Sequence, residues 1–339
     1  MKLYAATIFA CIFIEGCAGS LNRLAPVDNF IQNRTIEVPT SSLKYKIQSI
    51  PDSLSVYHCT TNTASDLDVL NHANRFGVSG TVISEGNNRL VLDGRKIYLE
   101  NILTGFQTYA NLNEEWGMNP AIPSVNISTG KNFIPINSNN IPSLASSIEI
   151  ARDYVMNHNL SNGEVPMYYT SGTLYRSLST QSGKTVLQRE VIFKRTINGL
   201  PILGTGSQIS VLVGNNGSIV GAKVDWPKLI KDSSYRIKSG DIAIADISSR
   251  LSILNKEMPE NQQISKFVAK VIKLGYVGYL NKNGSRDIIP SYLVLGEGLV
   301  NTSTRSILLS LTAADSAPVR DHLTGISIQS PLYTPQATK

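Results

Sequence analysis

Few residues in this chain have the types and the spacing that catalytic chemistry needs. His58 and Cys59 are adjacent, but neighbours on an extended strand point to opposite faces and cannot act as a nucleophile and its base. Cys59 is therefore predicted to be a small buried hydrophobe. The four histidines lie far apart and include no His-Glu-x-x-His motif, so we expect no metal site and no cofactor.

A second stretch imitates a phosphate-binding loop. Ser182-Gly183-Lys184-Thr185 matches the end of that motif, but its leading position is Leu178 rather than glycine. The flanking residues have the pattern of two strands, which predicts a hairpin turn here. The chain also lacks the Gly-x-Ser-x-Gly pattern of a nucleophile elbow. The sequence thus predicts a protein that is not an enzyme.

The best candidates for binding lie on the predicted strand 185–197 and at the two tryptophans. Period-two alternation puts Arg189 and Arg195 on one face, with two apolar residues between them. This face is either a partner-binding stripe or a solvated surface whose arginine stems cover apolar atoms. Trp116 and Trp226 are likewise either partner-binding residues or residues that close the core at a sheet edge.

The elements that position these residues follow a repeated order. Apolar residues at helical spacing predict helices at 65–76, at 143–159 and from residue 239 onward, each followed by short-turn strands. Ser65, with Asp68 three residues later, has the pattern of a capping box. The predicted fold class is α+β, made of repeated helix-plus-antiparallel-meander units.

One turn is predicted in more detail. Gly199 is expected to take a positive φ, and Pro201 is expected at a strand end because it cannot donate a ladder hydrogen bond. The predicted divisions of the chain are a signal peptide (1–16), a tether (17–48), a first helix–meander unit (49–116), a joint rich in proline, asparagine and serine (117–142), two further helix–meander units (143–312) and a polar tail (313–339).

The N-terminus predicts export. Met1-Lys2 precedes twelve residues that are apolar except for Tyr4 and Thr7, a run too short for a bilayer core of about 30 Å but typical of a signal peptide. Gly16-Cys17 resembles the lipobox of bacterial lipoproteins, although Glu15 departs from it. That resemblance implies that Cys17 becomes a lipid-modified, palmitate-bearing N-terminus. The alternative is an ordinary secretory signal in which Cys17 is incidental.

Charge and cysteine content narrow the functions and the sources of stability that the sequence allows. The formal net charge of +6 comes from scattered residues and favours solubility and loose attraction to anionic membranes. Nucleic-acid binding requires a focused basic face and is not predicted. If Cys17 is lipidated, Cys59 has no partner for an intramolecular disulfide in the mature chain, so apolar burial must stabilise the fold.

A family resemblance begins at residue 194. Residues 194–204 read Lys-Arg-Thr-Ile-Asn-Gly-Leu-Pro-Ile-Leu-Gly, followed by a strand, an Asn-Gly turn and a strand ending at Trp226. This pattern resembles PepSY and fungalysin/thermolysin-type propeptide modules. Such modules occur in protease propeptides and in extracytoplasmic regulators of sensor kinases, such as the YycI-like proteins. The resemblance spans residues 140–300 and, more weakly, 50–116, and it implies tandem modules within 143–312.

These features together predict a non-catalytic lipoprotein of the cell envelope, anchored on the extracytoplasmic side of a membrane. It would bind and regulate or inhibit another envelope or secreted protein, such as a protease or a sensor kinase. One alternative is an extracytoplasmic hydrolase whose site assembles from distant residues, and another is a structural envelope protein. A deep pocket with converging titratable groups favours the hydrolase, whereas an exposed sheet face or edge without a pocket favours binding.

Overall fold

The computed structural model describes residues 44–45, 50–59, 64–112, 140–177, 184–204, 206–281, 285–317 and 322–327. They belong to one compact unit, residues 36–339. Strands dominate the described chain and form two large sheets, one of nine strands and one of eight. The α+β class of helix-plus-meander repeats predicted from the sequence is therefore wrong, because the protein is mostly β.

The elements are numbered in chain order. The helices are α1 (Asp66–Arg75), α2 (Leu144–Asn157), α3 (Gly240–Ala245) and α4 (Ile247–Lys256). The strands are β1 (Lys44–Tyr45), β2 (Ser53–Cys59), β3 (Val82–Glu85), β4 (Asn88–Asp93), β5 (Lys96–Asn101), β6 (Phe106–Asn111), β7 (Met167–Ser177), β8 (Lys184–Lys194), β9 (Thr196–Ile197), β10 (Leu200–Gly204), β11 (Gln208–Val213), β12 (Ile219–Asp225), β13 (Leu229–Arg236), β14 (Ile264–Leu280), β15 (Arg286–Val300), β16 (Ser303–Thr312) and β17 (His322–Ser327).

The eight-stranded sheet joins the two predicted meanders edge to edge. Its order is β3-β4-β5-β6-β12-β11-β8-β7, and every neighbouring pair is antiparallel. The junction is the β6–β12 pair, where Gln107 lies opposite Val224 and Ala110 opposite Gly221. A Cβ at Gly221 would lie 2.9 Å from the Tyr109 carbonyl oxygen, so glycine permits this close approach. The junction explains the error in fold class, since local patterns do not show which meanders pair.

One face of this sheet forms a hydrophobic core under α1 and α2. Residues directly opposite each other in an antiparallel sheet share a face, and here they align in a row across five strands. The row consists of Tyr98, Tyr109, Ala222, Val211 and Val191, all buried. Val69 and Ala73 of α1 and Ala151 and Val155 of α2 cover the same face.

Two of the predicted helix starts have the expected side-chain caps. The Ser65 hydroxyl accepts a hydrogen bond from the Asp68 backbone N–H at 3.2 Å, and the Ser65 N–H donates to the Asp68 carboxylate at 2.9 Å. The capping box before α1 is therefore confirmed. Ser143 caps α2 in a similar way, accepting from the Ser146 N–H at 3.1 Å. The two caps fix the residue at which each helix begins.

The nine-stranded sheet combines the two N-terminal strands β1 and β2, the short strands β9 and β10 from the middle of the chain, and the strands from β13 onward. Its central path is β13-β2-β15-β14-β10-β9, while β1 pairs with β14 and β16 pairs with both β15 and β17. The predicted helix after residue 239 is present as the two short helices α3 and α4. Their buried residues Ala243, Ile247 and Leu251 pack into the core of this sheet.

The two sheets are tied together at two places. The chain leaves β8 at Arg195 and enters β9 and β10 of the other sheet, where β10 runs parallel to β14. Asp225, at the end of β12, forms an ion pair with Arg286 at the start of β15. Arg286 also donates to the Thr104 carbonyl at 2.6 Å, and Asp225 accepts from the Gly206 N–H at 2.7 Å.

The turn between β9 and β10 confirms a detailed prediction. Asn198 has φ +51° and Gly199 has φ +78°, the pair of positive values that a tight two-residue hairpin turn requires. Pro201 follows next to the turn and lies opposite Thr196. Gly199 therefore has a conformational role.

Candidate functional site

A cleft of about 810 Å³ opens at one end of the core face of the eight-stranded sheet. Glu100 on β5, Gln107 on β6 and Val224 on β12 lie side by side in register and form its floor. Helix α1 and the loop after α2 supply its walls. The cleft thus lies on the same face of the sheet as the core, in the part that α1 and α2 do not cover. There the inward-pointing residues include the polar Glu100 and Gln107.

On one wall, a histidine is held by a buried carboxylate. His72 of α1 has its Nδ1 atom 3.0 Å from Oε2 of Glu100, and the Tyr98 hydroxyl donates to the same oxygen at 2.7 Å. Glu100 is only 2% exposed, whereas the His72 side chain is 33% exposed. Burial and the Glu100 carboxylate raise the pKa of Tyr98, so this phenol stays protonated and donating. Among the residues that the structure describes, the Nε2 atom of His72 has no hydrogen-bond partner.

The same helix is fixed at its C-terminal end by reciprocal contacts with α2. The Arg75 guanidinium donates to the carbonyl oxygens of His158, at 3.2 Å, and Asn159. In return, His158 Nδ1 hydrogen-bonds the Arg75 carbonyl oxygen. Cationic side chains suit the carbonyl-rich ends of helices. These bonds hold α1 against the end of α2 and keep His72 over the cleft.

On the opposite wall, a buried arginine is paired with a half-exposed glutamate. Arg195 donates from Nε to Glu164 Oε2 at 2.6 Å and from a terminal nitrogen to the other oxygen. Its remaining terminal nitrogen donates to the Pro227 carbonyl at 2.7 Å. Trp226 donates its indole N–H to Glu164 at 3.2 Å, and its ring centroid lies 5.0 Å from the guanidinium carbon. This geometry is a bidentate ion pair with a cation–π contact.

The floor carries a polar group without a protein partner. Gln107 is 8% exposed, and its Oε1 atom is buried without a hydrogen-bond partner in the described part of the chain. Buried polar side-chain atoms are nearly always hydrogen-bonded in folded proteins. Gln107 lies between Glu100 and Val224 in the sheet and is one of the residues that line the cleft.

The structure corrects the picture of an exposed arginine stripe. Arg189 and Arg195 do share a face, but that face is the core side: Arg195 is 2% exposed and Arg189 is half-buried. Arg189 donates to the Thr173 hydroxyl and to the Pro142 carbonyl. The apolar residues between the arginines draw this face into the core, and the guanidinium groups are satisfied internally.

The other predicted site residues are placed as follows. Trp226 is 3% exposed; it belongs to the core cluster and lines the cleft. Trp116 and Cys17 lie outside the described residues. The residues that the sequence analysis missed are His72, Glu100, Gln107 and Glu164. Only Glu100 gave a usable signal, because it alternates with Tyr98 on the inward face of β5, where a carboxylate needs partners.

Adjacent His58 and Cys59 face different environments, as the alternation rule predicts. Cys59 is 3% exposed, and burial raises the pKa of its thiol to about 11. His58 lies on the other side, with Nδ1 2.7 Å from Asp287 and Nε2 3.1 Å from Asp232. Burial alone would lower the pKa of His58, but hydrogen bonds to the two carboxylates raise it. In the part of the chain that the structure describes, no cluster of three or more His, Cys, Asp and Glu side chains is arranged to hold a metal ion.

Four exposed apolar residues that are close together in the sequence follow the loop after α2. They are called the edge patch and are Val165, Met167, Tyr168 and Tyr169, with exposures of 81%, 43%, 38% and 52%. Three of them belong to β7, which ends the eight-stranded sheet and pairs only with β8 among the described strands. A register shift between Tyr168 and Thr170 marks a bulge in this strand. The free edge of β7 therefore presents backbone hydrogen-bonding groups beside exposed aromatic side chains.

No family model matches the chain, and no curated protein matches it. Among solved structures, an uncharacterized protein from Eubacterium rectale ATCC 33656 is similar with 10% identity and a TM-score of 0.45, covering 86% of this chain and 92% of that one. The Bacillus megaterium YpeB C-terminal domain is similar with 11% identity and a TM-score of 0.32, covering 77% and 98%. Similarity at this level does not establish a shared fold. Within the described ranges, no helix has both the length and the apolar character needed to cross a bilayer.

Proposed function

We propose that this protein is a non-catalytic extracytoplasmic lipoprotein that binds and regulates another envelope or secreted protein, a protease or a sensor kinase. The observation that carries this proposal is the edge patch on β7. A strand with an unpaired edge is a ready template for an extended segment of another chain, and its main-chain groups supply affinity. Exposed apolar clusters of this kind are typical of interaction sites. The sequence resemblance to tandem PepSY-like modules within 143–312 agrees with a regulatory role.

The proposed partner contributes an extended segment that pairs with β7. The partner segment covers the exposed side chains of Met167, Tyr168 and Tyr169. Its backbone forms hydrogen bonds with the unpaired edge of β7. Aromatic side chains suit this role because they offer a large contact area at low conformational cost. The Nζ atom of Lys194 lies 5.6 Å from the Tyr169 ring centroid, within the range of a cation–π contact that favours this position of the ring.

The test is capture from native membranes with the full-length protein, followed by mass spectrometry. Tyr169→Lys and Val165→Lys are expected to abolish capture of a protease or sensor kinase, and the parent protein should alter the activity of the captured partner. Ile83→Lys is the matched control, because Ile83 is 44% exposed on β3, the opposite end of the same sheet. Undiminished capture by both β7 variants would contradict the proposal, as would capture lost equally in Ile83→Lys.

The anchoring part of the proposal has its own test. Lipid attachment at Cys17 predicts a protein that stays in the membrane fraction, since two or more acyl chains give stable anchoring. Metabolic labelling with palmitate should mark the parent and not Cys17→Ser. Equal label in both proteins would remove the lipoprotein assignment while leaving the edge-patch proposal intact.

A second candidate function is an extracytoplasmic hydrolase, favoured by the pairing of His72 with Glu100 in the cleft. A carboxylate that holds Nδ1 of a histidine is the arrangement that orients a general base. Non-catalytic binding is the better supported function, because the buried Glu100 carboxylate is committed to His72 and Tyr98, and no hydroxyl or thiol bonds to His72 among the described residues. Turnover of a chromogenic ester or glycoside that disappears in His72→Gln would establish the hydrolase instead.

A further inference from the structure

We propose that the cleft is a binding site for a neutral saccharide. This inference is independent of the protein partner, because it concerns the floor and walls of the cleft and not the edge patch. At about 810 Å³ the cleft has the size of sites that enclose a small organic ligand. The chemistry of its lining identifies the class of ligand.

The charge of the lining excludes a strongly ionic ligand. Three acidic side chains, Asp68, Glu100 and Glu164, and three basic ones, Arg75, Arg195 and Lys228, line the cleft among the residues that the structure describes. The charges also meet inside the protein: Arg195 binds Glu164, and Glu100 is held by His72. Because the acidic and basic side chains are equal in number, the cleft has no dominant sign with which to attract an anion or a cation.

The unsatisfied bonding capacity of the lining requires a ligand rich in hydroxyl groups. Gln107 Oε1 is a buried acceptor that needs a donor, and its burial makes an unmade bond costly. The half-exposed Glu164 carboxylate can accept further bonds beside its bond to Arg195. His72 Nε2 either donates or accepts, depending on the tautomer. A hydroxyl group both donates and accepts, so a sugar ring can satisfy all three groups without carrying charge.

The apolar residues of the lining suit the C–H faces of a sugar ring. Pro227 and Leu229 line the cleft beside the polar groups and are partly exposed, whereas Leu160 and Val224 in the same lining are almost fully buried. A pyranose has hydroxyl groups around its rim and C–H groups on its faces, and it therefore needs polar and apolar surfaces in close proximity. A peptide backbone also carries no net charge, but it offers one donor per residue, which matches the acceptor-rich floor less well.

The position of Gln107 makes it the residue whose replacement tests the saccharide proposal most directly. It lies in register between Glu100 and Val224, at the meeting point of the two strand groups that form the eight-stranded sheet. Since its Oε1 has no protein partner in the described chain, replacing the side chain with leucine removes the acceptor and breaks no internal hydrogen bond at that atom. The variant is therefore expected to fold normally and to lose ligand contact.

The experiment measures binding of a panel of neutral oligosaccharides, including cellopentaose and penta-N-acetylchitopentaose, to the full-length protein in detergent by calorimetry. Saturable binding by the parent and a loss of about tenfold or more in affinity for Gln107→Leu are expected, with an unchanged thermal midpoint. His72→Phe provides a second cleft variant with the same expected loss. Gln262→Leu is the matched control, since Gln262 is exposed outside the cleft, and it should bind like the parent.

Three outcomes would overturn the saccharide assignment. They are the absence of saturable binding to the panel, undiminished affinity in Gln107→Leu and His72→Phe, and preference of the cleft for an uncharged peptide probe of similar size. Each outcome leaves capture through β7 unaffected, so failure of this inference is distinguishable from failure of the proposed function.

Discussion

The pair of Arg195 and Glu164 should respond unequally to the loss of either partner. Arg195 is 2% exposed while the Glu164 side chain is 45% exposed, so only the arginine depends on the pair for its solvation. Removing Glu164 leaves a buried guanidinium without two charge-assisted bonds, each worth about 1.5–3 kcal/mol. Water reaches the Glu164 side of the pair and replaces part of that loss. We therefore expect Glu164→Ala to lower the free energy of unfolding by about 2–4 kcal/mol.

Removing the arginine should cost less. In Arg195→Met the Glu164 carboxylate remains half-exposed and can be hydrated, and it keeps its bond from the Trp226 indole N–H. Besides the ion pair with Glu164, the variant loses the bond to the Pro227 carbonyl and the cation–π contact with Trp226. Methionine fills much of the space of the arginine stem. The expected loss in the free energy of unfolding is about 1–2 kcal/mol.

The assay is urea-induced unfolding of the parent, both single variants and the double variant, which together form a double-mutant cycle. Glu149→Ala is the matched control, because Glu149 pairs with Arg152 on the exposed surface of α2 and should show no measurable effect. The reasoning is refuted if Arg195→Met costs as much as Glu164→Ala. A Glu164→Ala variant as stable as the Glu149→Ala control would also refute it.

Three further predictions concern single residues. The pKa of His58 is raised in the folded protein, so its bonds to Asp232 and Asp287 stabilise the fold fully below the ordinary pKa of 6.5. This stabilisation is lost as the pH rises through the raised pKa. Urea unfolding should therefore give a lower free energy of unfolding at about pH 8.5 than at about pH 5 in the parent, and His58→Gln should lack this difference. Gly199→Val should lower the free energy of unfolding by about 1–3 kcal/mol because its φ is +78°, whereas Gly199→Asn, like its neighbour at φ +51°, should be tolerated; equal losses would contradict a conformational cause. Cys59 should resist a thiol reagent at about pH 8 in the native protein and react on denaturation, because its thiol is 3% exposed and its pKa is about 11; rapid native-state labelling would contradict this.

Local patterns in the sequence predicted local structure well. The helices predicted at 65–76 and 143–159 are present as α1 and α2, and the Ser65 capping box and the Gly199 turn are also present. Each of these depends on residues within a few positions of one another. Alternation and turn chemistry act at that range and are visible in a single sequence.

The predictions that failed depend on pairing between distant segments. Nothing near Gln107 or Val224 indicates that β6 pairs with β12, yet this pairing merges two meanders into one sheet and makes the protein mostly β. The candidate site has the same origin. His72 meets Glu100 across 28 positions, and Glu164 meets Arg195 across 31, so the cleft exists only once the distant pairings are made.

The position of β2 has a consequence for how the chain acquires its structure. His58 on this strand meets Asp232 and Asp287, which lie 174 and 229 positions later. During synthesis, β2 stays unpaired until the strands that pair with it have been made. Closing the long loops between them is also slow. The nine-stranded sheet should therefore assemble after the eight-stranded one, and a chain truncated before residue 286 should leave β2 without β15 and prone to aggregate.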